Sequence, residues 1–309
     1  MVHLLDRPVG HERFVVTTSD SGTRLSASLD VIDRGAALHV DAGLDTRRDG
    51  TPTHFRARGN SYRFVNIDID VTSDGARTRV RSLGDTVVLS APRSVFARSY
   101  APLSGRAAVI RYWEAHGRPA RLDGLEGPVR VLLRGGDTLN VHGRRVVLRR
   151  YDVDGVVWGH EAVWLDSTGT VAGVMTRVHI LPLEAVRAEF VESLARLEAS
   201  AVRDRVADVA AMGHAVPPIA AGRFAIVGVR IVDPARDASI ADGTVVVADG
   251  RIAAVGPAAA IRVPAGTRTF NGGGLSVLPG LWEMHAHAAQ IEWGPAYLAA
   301  GVTTARDMG

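Results

Sequence analysis

The stretch ERFVVTTSDSGTRLSASLDVID, Glu12 to Asp33, decides the fold, because polar and apolar residues alternate along both of its halves. A period of two places alternate side chains on opposite faces of a β-strand. Ser21 and Gly22 separate the two halves, and this residue pair is typical of a turn that reverses the chain. We therefore expect an antiparallel hairpin with one buried face.

The same alternation continues outward from this hairpin to about Ile180, as in SYRFVNIDIDVTSDGARTRVRSL at 61–83. Asp-Gly and Ser-Gly pairs again interrupt the short strands. The pattern predicts an antiparallel β-rich accessory domain over 1–182, with a meandering sheet that is either curved or sandwiched. The dipeptide His160-Glu161 resembles the start of a zinc-protease motif, but Trp164 stands where its second histidine belongs. We interpret that pair as structural or surface-exposed.

The composition excludes several classes of function. All 36 basic residues are arginines, and 33 acidic residues leave a net charge of +3. The arginines are scattered along strand-like segments, which argues against a nucleic-acid partner. The chain has no cysteine, so disulfides and thiolate metal sites are excluded and any metal ligands must be histidines or carboxylates.

The sequence contains no membrane-span pattern and no export-signal pattern. We therefore expect no membrane span. The localisation stays open between two cases. The chain as it stands is expected in the cytoplasm, and a periplasmic or secreted location is expected if an export signal has been removed.

The second half of the chain begins with a change of pattern. Residues 183–213 lack internal proline and have apolar residues at helical spacing, which predicts a helical segment. Residues 214–223 are rich in proline and small residues and form the expected linker. Strand patterns return over 224–275, where a turn is expected at Asp249-Gly250.

The segment LPGLWEMHAHA, Leu278 to Ala288, carries the chemistry. On a strand, Glu283, His285 and His287 would share one face. Two neutral imidazoles can bind a divalent metal, although catalytic zinc usually takes three protein ligands and a water. The two histidines are therefore candidate metal ligands whose partners must come from elsewhere.

Four phrases in order, VGVRIVDP, ADGTVVVADGRIAAVGP, LPGLWEMHAH and YLAAGVTTARDMG, resemble the start of the amidohydrolase superfamily, in its imidazolonepropionase-like and prolidase-like branch. The resemblance covers about the last quarter of the chain. In this mainly β chain, it implies that 224–275 form part of a β-sandwich and that 276–309 begin a (β/α)8 barrel, with its first strand at 276–288, its first helix and its second strand. Some bacterial relatives carry β-rich N-terminal extensions.

By this resemblance, His285 and His287 match the metal-binding pair of the family. Glu283 stands where the family more often has aspartate, and Arg306 and Asp307 match a pattern at the end of the second strand. We assign these three a structural role or a role in orienting the metal ligands. The family takes its other ligands and its general-base aspartate from later strands, so the catalytic base is not expected in this chain, and no organic cofactor site is expected. With no lysine, the chain also cannot supply the bridging carboxylated lysine of two-metal members.

The resulting hypothesis is the N-terminal portion of a metal-dependent amidohydrolase that, when complete, hydrolyses C–N bonds of a small amide, dipeptide or cyclic imide through a metal-activated water. The expected cofactor is a divalent metal, zinc first, with one or two ions. The expected partner is a small-molecule substrate, and a homo-oligomer is left open. We expect the fragment alone to be inactive. The alternative is a non-catalytic β-rich binding protein with a remnant hydrolase segment.

Overall fold

The computed structural model describes residues 1–33, 35–62, 65–98, 102–157, 159–178, 181–215, 218–287 and 293–308. They divide into two compact units, one built mainly on Met1–Val206 and the other mainly on Ala207–Ala286 with 293–308. No helix within these ranges is both long enough and apolar enough to cross a membrane.

The first unit is built on one antiparallel sheet of fourteen strands. Its first eight strands are consecutive hairpin neighbours: β1 (Val2–Leu4), β2 (Arg7–Thr18), β3 (Gly22–Asp33), β4 (Ala36–Arg47), β5 (Pro52–Tyr62), β6 (Val65–Ser73), β7 (Thr78–Ser82) and β8 (Asp85–Leu89). The hairpin at Glu12–Asp33 forms as predicted, with Phe14 opposite Ala27. The prediction of a mainly β chain with a large antiparallel sheet is confirmed.

Helix α1 (Arg106–Ala115), which follows a 3₁₀ turn at Leu103–Gly105, separates these strands from the rest of the sheet. The remaining six strands are β9 (Leu122–Asp123), β10 (Pro128–Val141), β11 (Arg144–Asp154), β12 (His160–Leu165), β13 (Val171–Val178) and β14 (Leu181–Val186). Strand β14 pairs with β1, and Val2 lies opposite Ala185. The sheet order is therefore β8 to β1 followed by β14 to β9.

The two halves of this sheet are packed differently. In β3 to β6 one face is apolar and buried, as Val40, Phe55 and Ile69 show, and the other face is polar. Across β11 to β14 both faces are largely covered, whereas Leu132 and Leu133 on β10 are exposed. Helix α1 packs on one of these two faces through Ile110 and Trp113.

The opposite face of β11 to β14 is covered by a 3₁₀ turn at Ala188–Ser193 and by helix α2 (Leu194–Ala215), whose Leu197 packs with Trp164. The sequence placed the helical segment from 183 to 213. The chain instead stays in strand β14 as far as Val186, because its alternating side chains complete the sheet beside β1 and β13. The α-helix begins at Leu194.

The second unit contains a five-stranded mixed sheet with strands β15 (Phe224–Asp233), β16 (Ala238–Ala248), β17 (Arg251–Pro257), β18 (Arg268–Asn271) and β19 (Ser276–Val277). Strands β15 to β17 are antiparallel, whereas β18 and β19 run parallel to β15. Val229, Ile231 and Val245 form its small core. The described residues of 224–275 form this sheet alone, without the second layer of a sandwich.

The last elements form a βαβ unit: β20 (Leu281–Ala286), α3 (Trp293–Ala299) and β21 (Val302–Asp307). Strands β20 and β21 are parallel and form a separate two-stranded sheet. A (β/α)8 barrel is not present in the part of the chain that the structure describes; this single unit is its only parallel βαβ element.

Candidate functional site

The histidine pair lies at the end of strand β20. His285 is the fifth of its six residues, and His287 follows directly after the strand. Residue 288, the end of the predicted barrel strand, and 289–292 lie outside the described residues. His285 is exposed and His287 is half-buried. The pair therefore sits at the carboxyl end of a parallel strand, the end at which barrel enzymes build their active sites.

The predicted barrel strand over Ser276–Ala288 is not continuous. Ser276 and Val277 pair with β15 in the mixed sheet, and a new strand starts at Leu281 in the βαβ unit. Pro279 lies in the break, and proline has no amide hydrogen to donate to a sheet ladder. The prediction of one strand is thus corrected to two short strands in two sheets.

The side chain of Glu283 contacts the backbone of His285. Its Oε1 accepts a hydrogen bond of 2.9 Å from the backbone N–H of His285. This bond ties the side chain to its own strand, next to a register shift in the pairing with β21. The contact is local to the strand, and a role for Glu283 in orienting a metal ligand stays a prediction.

Asp307 and Arg306 are the last two residues of β21, and both are exposed. Asp307 pairs in register with Ala286, which lies between the two histidines in sequence. The fold therefore brings the carboxyl end of β21 beside the carboxyl end of β20. The resemblance implied this neighbourhood, but the roles of Arg306 and Asp307 stay predictions.

The metal prediction can be compared with the donor atoms near the pair. Imidazole is a suitable zinc ligand, but two imidazoles do not complete a catalytic zinc shell. Among the described residues, no group of three or more histidine, cysteine or acidic side chains is arranged to hold a metal ion. The pair could supply two metal ligands at most, and the described residues do not complete a metal-binding site around it.

Glu161, the other carboxylate that the sequence singled out, lies in the core. Its side chain and that of Arg106 are fully buried, and Arg106 Nη2 donates to Glu161 Oε1 over 2.9 Å. Thr176 Oγ1 also donates to Oε1, at 2.6 Å. Together with the contact between His160 and Asp154, this agrees with a structural pair. No local pattern pointed to Arg106, because 55 residues separate it from Glu161.

Comparisons with known proteins identify no family for this chain. No family model matches it, and no curated protein matches it. One similar solved structure is named "putative prolidase from Bifidobacterium longum"; it is 32% identical over 28% of this chain and 24% of its own length, with a TM-score of 0.23. The chain thus spans about a quarter of the length of that protein.

Two other solved structures are similar over a larger part of the chain. A beta-barrel-like protein of the domain of unknown function DUF1849, from Brucella abortus, is 11% identical over 60% of this chain and 92% of its own, with a TM-score of 0.40. A DUF1089 family protein from Pseudomonas aeruginosa is 13% identical over 52% and 88%, with a TM-score of 0.33. All three TM-scores are below 0.5.

Proposed function

We propose that this chain is part of a metal-dependent hydrolase of C–N bonds in a small amide, dipeptide or cyclic imide. The observation that carries the proposal is the parallel βαβ unit, in which His285, His287 and Asp307 all lie at the carboxyl ends of adjacent strands. Catalytic groups of (β/α)8 enzymes come from these strand ends. The four ordered sequence phrases support the same reading.

The apolar surface of the βαβ unit also supports this proposal. Leu281 is 47% exposed, Trp282 68% and Met284 55%; Trp282 and Met284 point to one face of the strand and Leu281 to the other. Parallel sheets are normally covered on both faces, and a two-stranded sheet is marginal by itself. We infer that further strands and helices cover this sheet in the complete enzyme.

In that enzyme, His285 and His287 would supply two imidazole ligands to a divalent metal, zinc first. Such an ion, when bound, lowers the pKa of a bound water and polarises a carbonyl. The remaining ligands and the proton-transferring carboxylate are expected from segments other than the described residues. Glu283 would hold the backbone of His285 in place through its 2.9 Å hydrogen bond.

The test uses the product of the complete reading frame that encodes this chain. Its zinc content is measured by mass spectrometry, and amine release is measured with a panel of dipeptides, N-acyl amino acids and a cyclic imide. A His285→Ala/His287→Ala variant is expected to lose the metal and to lose activity by about a hundredfold or more, because ligand loss exceeds the effect of changing outer-shell groups.

The matched control is His142→Asn/His214→Ala, which also removes two imidazoles. Both residues are exposed, and Asn tolerates the positive φ of 49° at His142. Metal content and activity should stay at the wild-type level. If both double variants keep the same metal, or the complete product hydrolyses none of the panel, the alternative of a non-catalytic β-rich binding protein is favoured.

A further inference from the structure

A groove of about 580 Å³ lies on strands β2 to β6, far in sequence from the histidine pair. Its floor lies over the centre of the polar face, where β3 carries the small residues Ser26 and Ser28. Ser26 pairs with Gly43, over which the side chain of Arg56 lies. A floor of such short side chains leaves the space that makes the groove.

The walls are long side chains on the flanking strands. Arg13 on β2 lies opposite Ser28, and Arg56 on β5 lies opposite Gly43. Three strand spacings, about 14 Å, separate β2 from β5. The two arginines therefore line the groove from opposite sides, and the same register puts the partly paired Arg58 two residues from Arg56.

Not every arginine in the groove has a carboxylate as its ion-pair partner. Within the described ranges, neither Arg13 nor Arg56 has a carboxylate within ion-pair distance, although each is exposed. Asp70 lies opposite Arg56 in the sheet, but its Oδ2 contacts His54 Nε2 at 3.1 Å. The pKa of Asp41 is lowered by hydrogen bonds from Ser28 and His39, so this carboxylate is ionised and already has its own partners.

Arg58 shows how an arginine of this face is normally neutralised. Its Nε donates to Asp68 Oδ1 at 3.1 Å, and Arg81 contacts the same carboxylate at 3.3 Å. Two guanidinium groups therefore share one carboxylate beside the groove, and the two guanidinium groups in its walls have none. The groove lining therefore carries three guanidinium groups against the two carboxylates of Asp41 and Asp70, and a small molecule can lie between its walls.

We infer that this groove binds a small organic anion. Carboxylate or phosphate oxygens of the ligand would accept hydrogen bonds from Arg13 and Arg56, since the guanidinium fork matches both groups. The polar body of the ligand would lie over Ser26 and Ser28. This site is independent of the proposed hydrolase function, because none of its residues belongs to the βαβ unit.

The test is isothermal titration calorimetry on the 309-residue chain at constant ionic strength, with citrate and with inorganic phosphate as probes. Saturable binding of one or both is expected, and the probe that binds identifies carboxylate or phosphate as the recognised group. Arg13→Gln and Arg56→Gln should each weaken binding about tenfold, because each removes one charge-assisted contact. Ser26→Tyr fills the floor without changing the charge and should abolish binding.

Arg79→Gln is the matched control. Arg79 is exposed on the same polar face, where it pairs with Thr72, and it lies outside the groove. Its replacement should leave the affinity unchanged. The inference is overturned if neither probe saturates up to about 10 mM, if Arg79→Gln weakens binding as much as Arg56→Gln, or if folded Ser26→Tyr protein binds with wild-type affinity.

Discussion

Apolar residues are mostly buried in strands β11 to β14 but mostly exposed in the βαβ unit of β20, α3 and β21. In the first region Trp164 and Leu197 are fully buried, because helices cover both faces of the sheet. In the second, Trp282 is 68% exposed and Leu298 66% exposed. Apolar residues on a strand or helix therefore do not define a core; a covering layer does.

The covered region also contains buried charged side chains, which would be solvated on an open sheet. Arg106 and Glu161 are both fully buried, and Arg106 Nη1 additionally donates to the carbonyl of Arg98 at 2.9 Å. On the other face, Asp137 accepts hydrogen bonds of 2.7 Å from Trp164 Nε1 and from Ser200 Oγ of α2. These buried groups are satisfied by partners, so their loss should be costly.

The largest expected effect comes from breaking the buried ion pair. Arg106→Ala leaves the Glu161 carboxylate buried without its cation, and we expect it to lower the free energy of unfolding by about 3–5 kcal/mol. Urea denaturation measures the loss. Arg24→Ala, which removes an exposed partner of Asp45 that donates at 2.7 Å, should have a much smaller effect, because solvent screens an exposed pair. Equal losses would show that burial does not distinguish the two pairs.

A matched pair of leucines tests the comparison directly. Leu197 on α2 is fully buried, whereas Leu298 on α3 is 66% exposed. Leu197→Ala should lower the free energy of unfolding by about 2–5 kcal/mol, through lost burial and a residual cavity. Leu298→Ala should change it by about 0.5 kcal/mol or less. A large loss from Leu298→Ala in urea denaturation would mean that this chain already covers the βαβ unit.

The smallest expected effect concerns the acidic edge of α2. Burial, followed by the carboxylates of Asp6 and Glu184, raises the pKa of Glu198 to about 7. The folded chain thus holds a proton that the unfolded chain releases near pH 4.5, so the free energy of unfolding should fall as pH rises between these values. Solvent screening limits the effect to about 1 kcal/mol or less.

Glu198→Gln should remove this part of the pH dependence and make the chain more stable than the wild type at pH 8. Urea denaturation at pH 5 and pH 8 provides the measurement. Glu192→Gln, at an exposed position just before α2, is the control and should keep the wild-type dependence. An unchanged pH dependence in the Glu198 variant would remove Glu198 as its source.

Local sequence patterns predicted single strands and helices better than they predicted which strands pair. Alternation at Glu12–Asp33 was enough to predict the β2–β3 hairpin, because its strands are neighbours in sequence. The pairing of Val2 with Ala185 was not predictable, since nothing local in either segment specifies a partner so far away. The groove was not predictable for the same reason: Arg13 and Arg56 come to one groove only through the pairing of β2 with β3, of β3 with β4 and of β4 with β5.

The candidate site shows the same division. The spacing of His285 and His287 identified a possible ligand pair, but the break at Pro279 and the pairing of Ala286 with Asp307 required the fold. Whether the pair binds metal stays a prediction.

The sequence by itself determined the strand periodicity, the exclusion of thiol chemistry and the position of the histidine pair, because these depend only on residue type and spacing. Only the tertiary structure decided which faces are covered, which charges find partners and where a groove opens. Those properties arise from contacts between residues distant in the chain, and burial and ion pairing depend on those contacts.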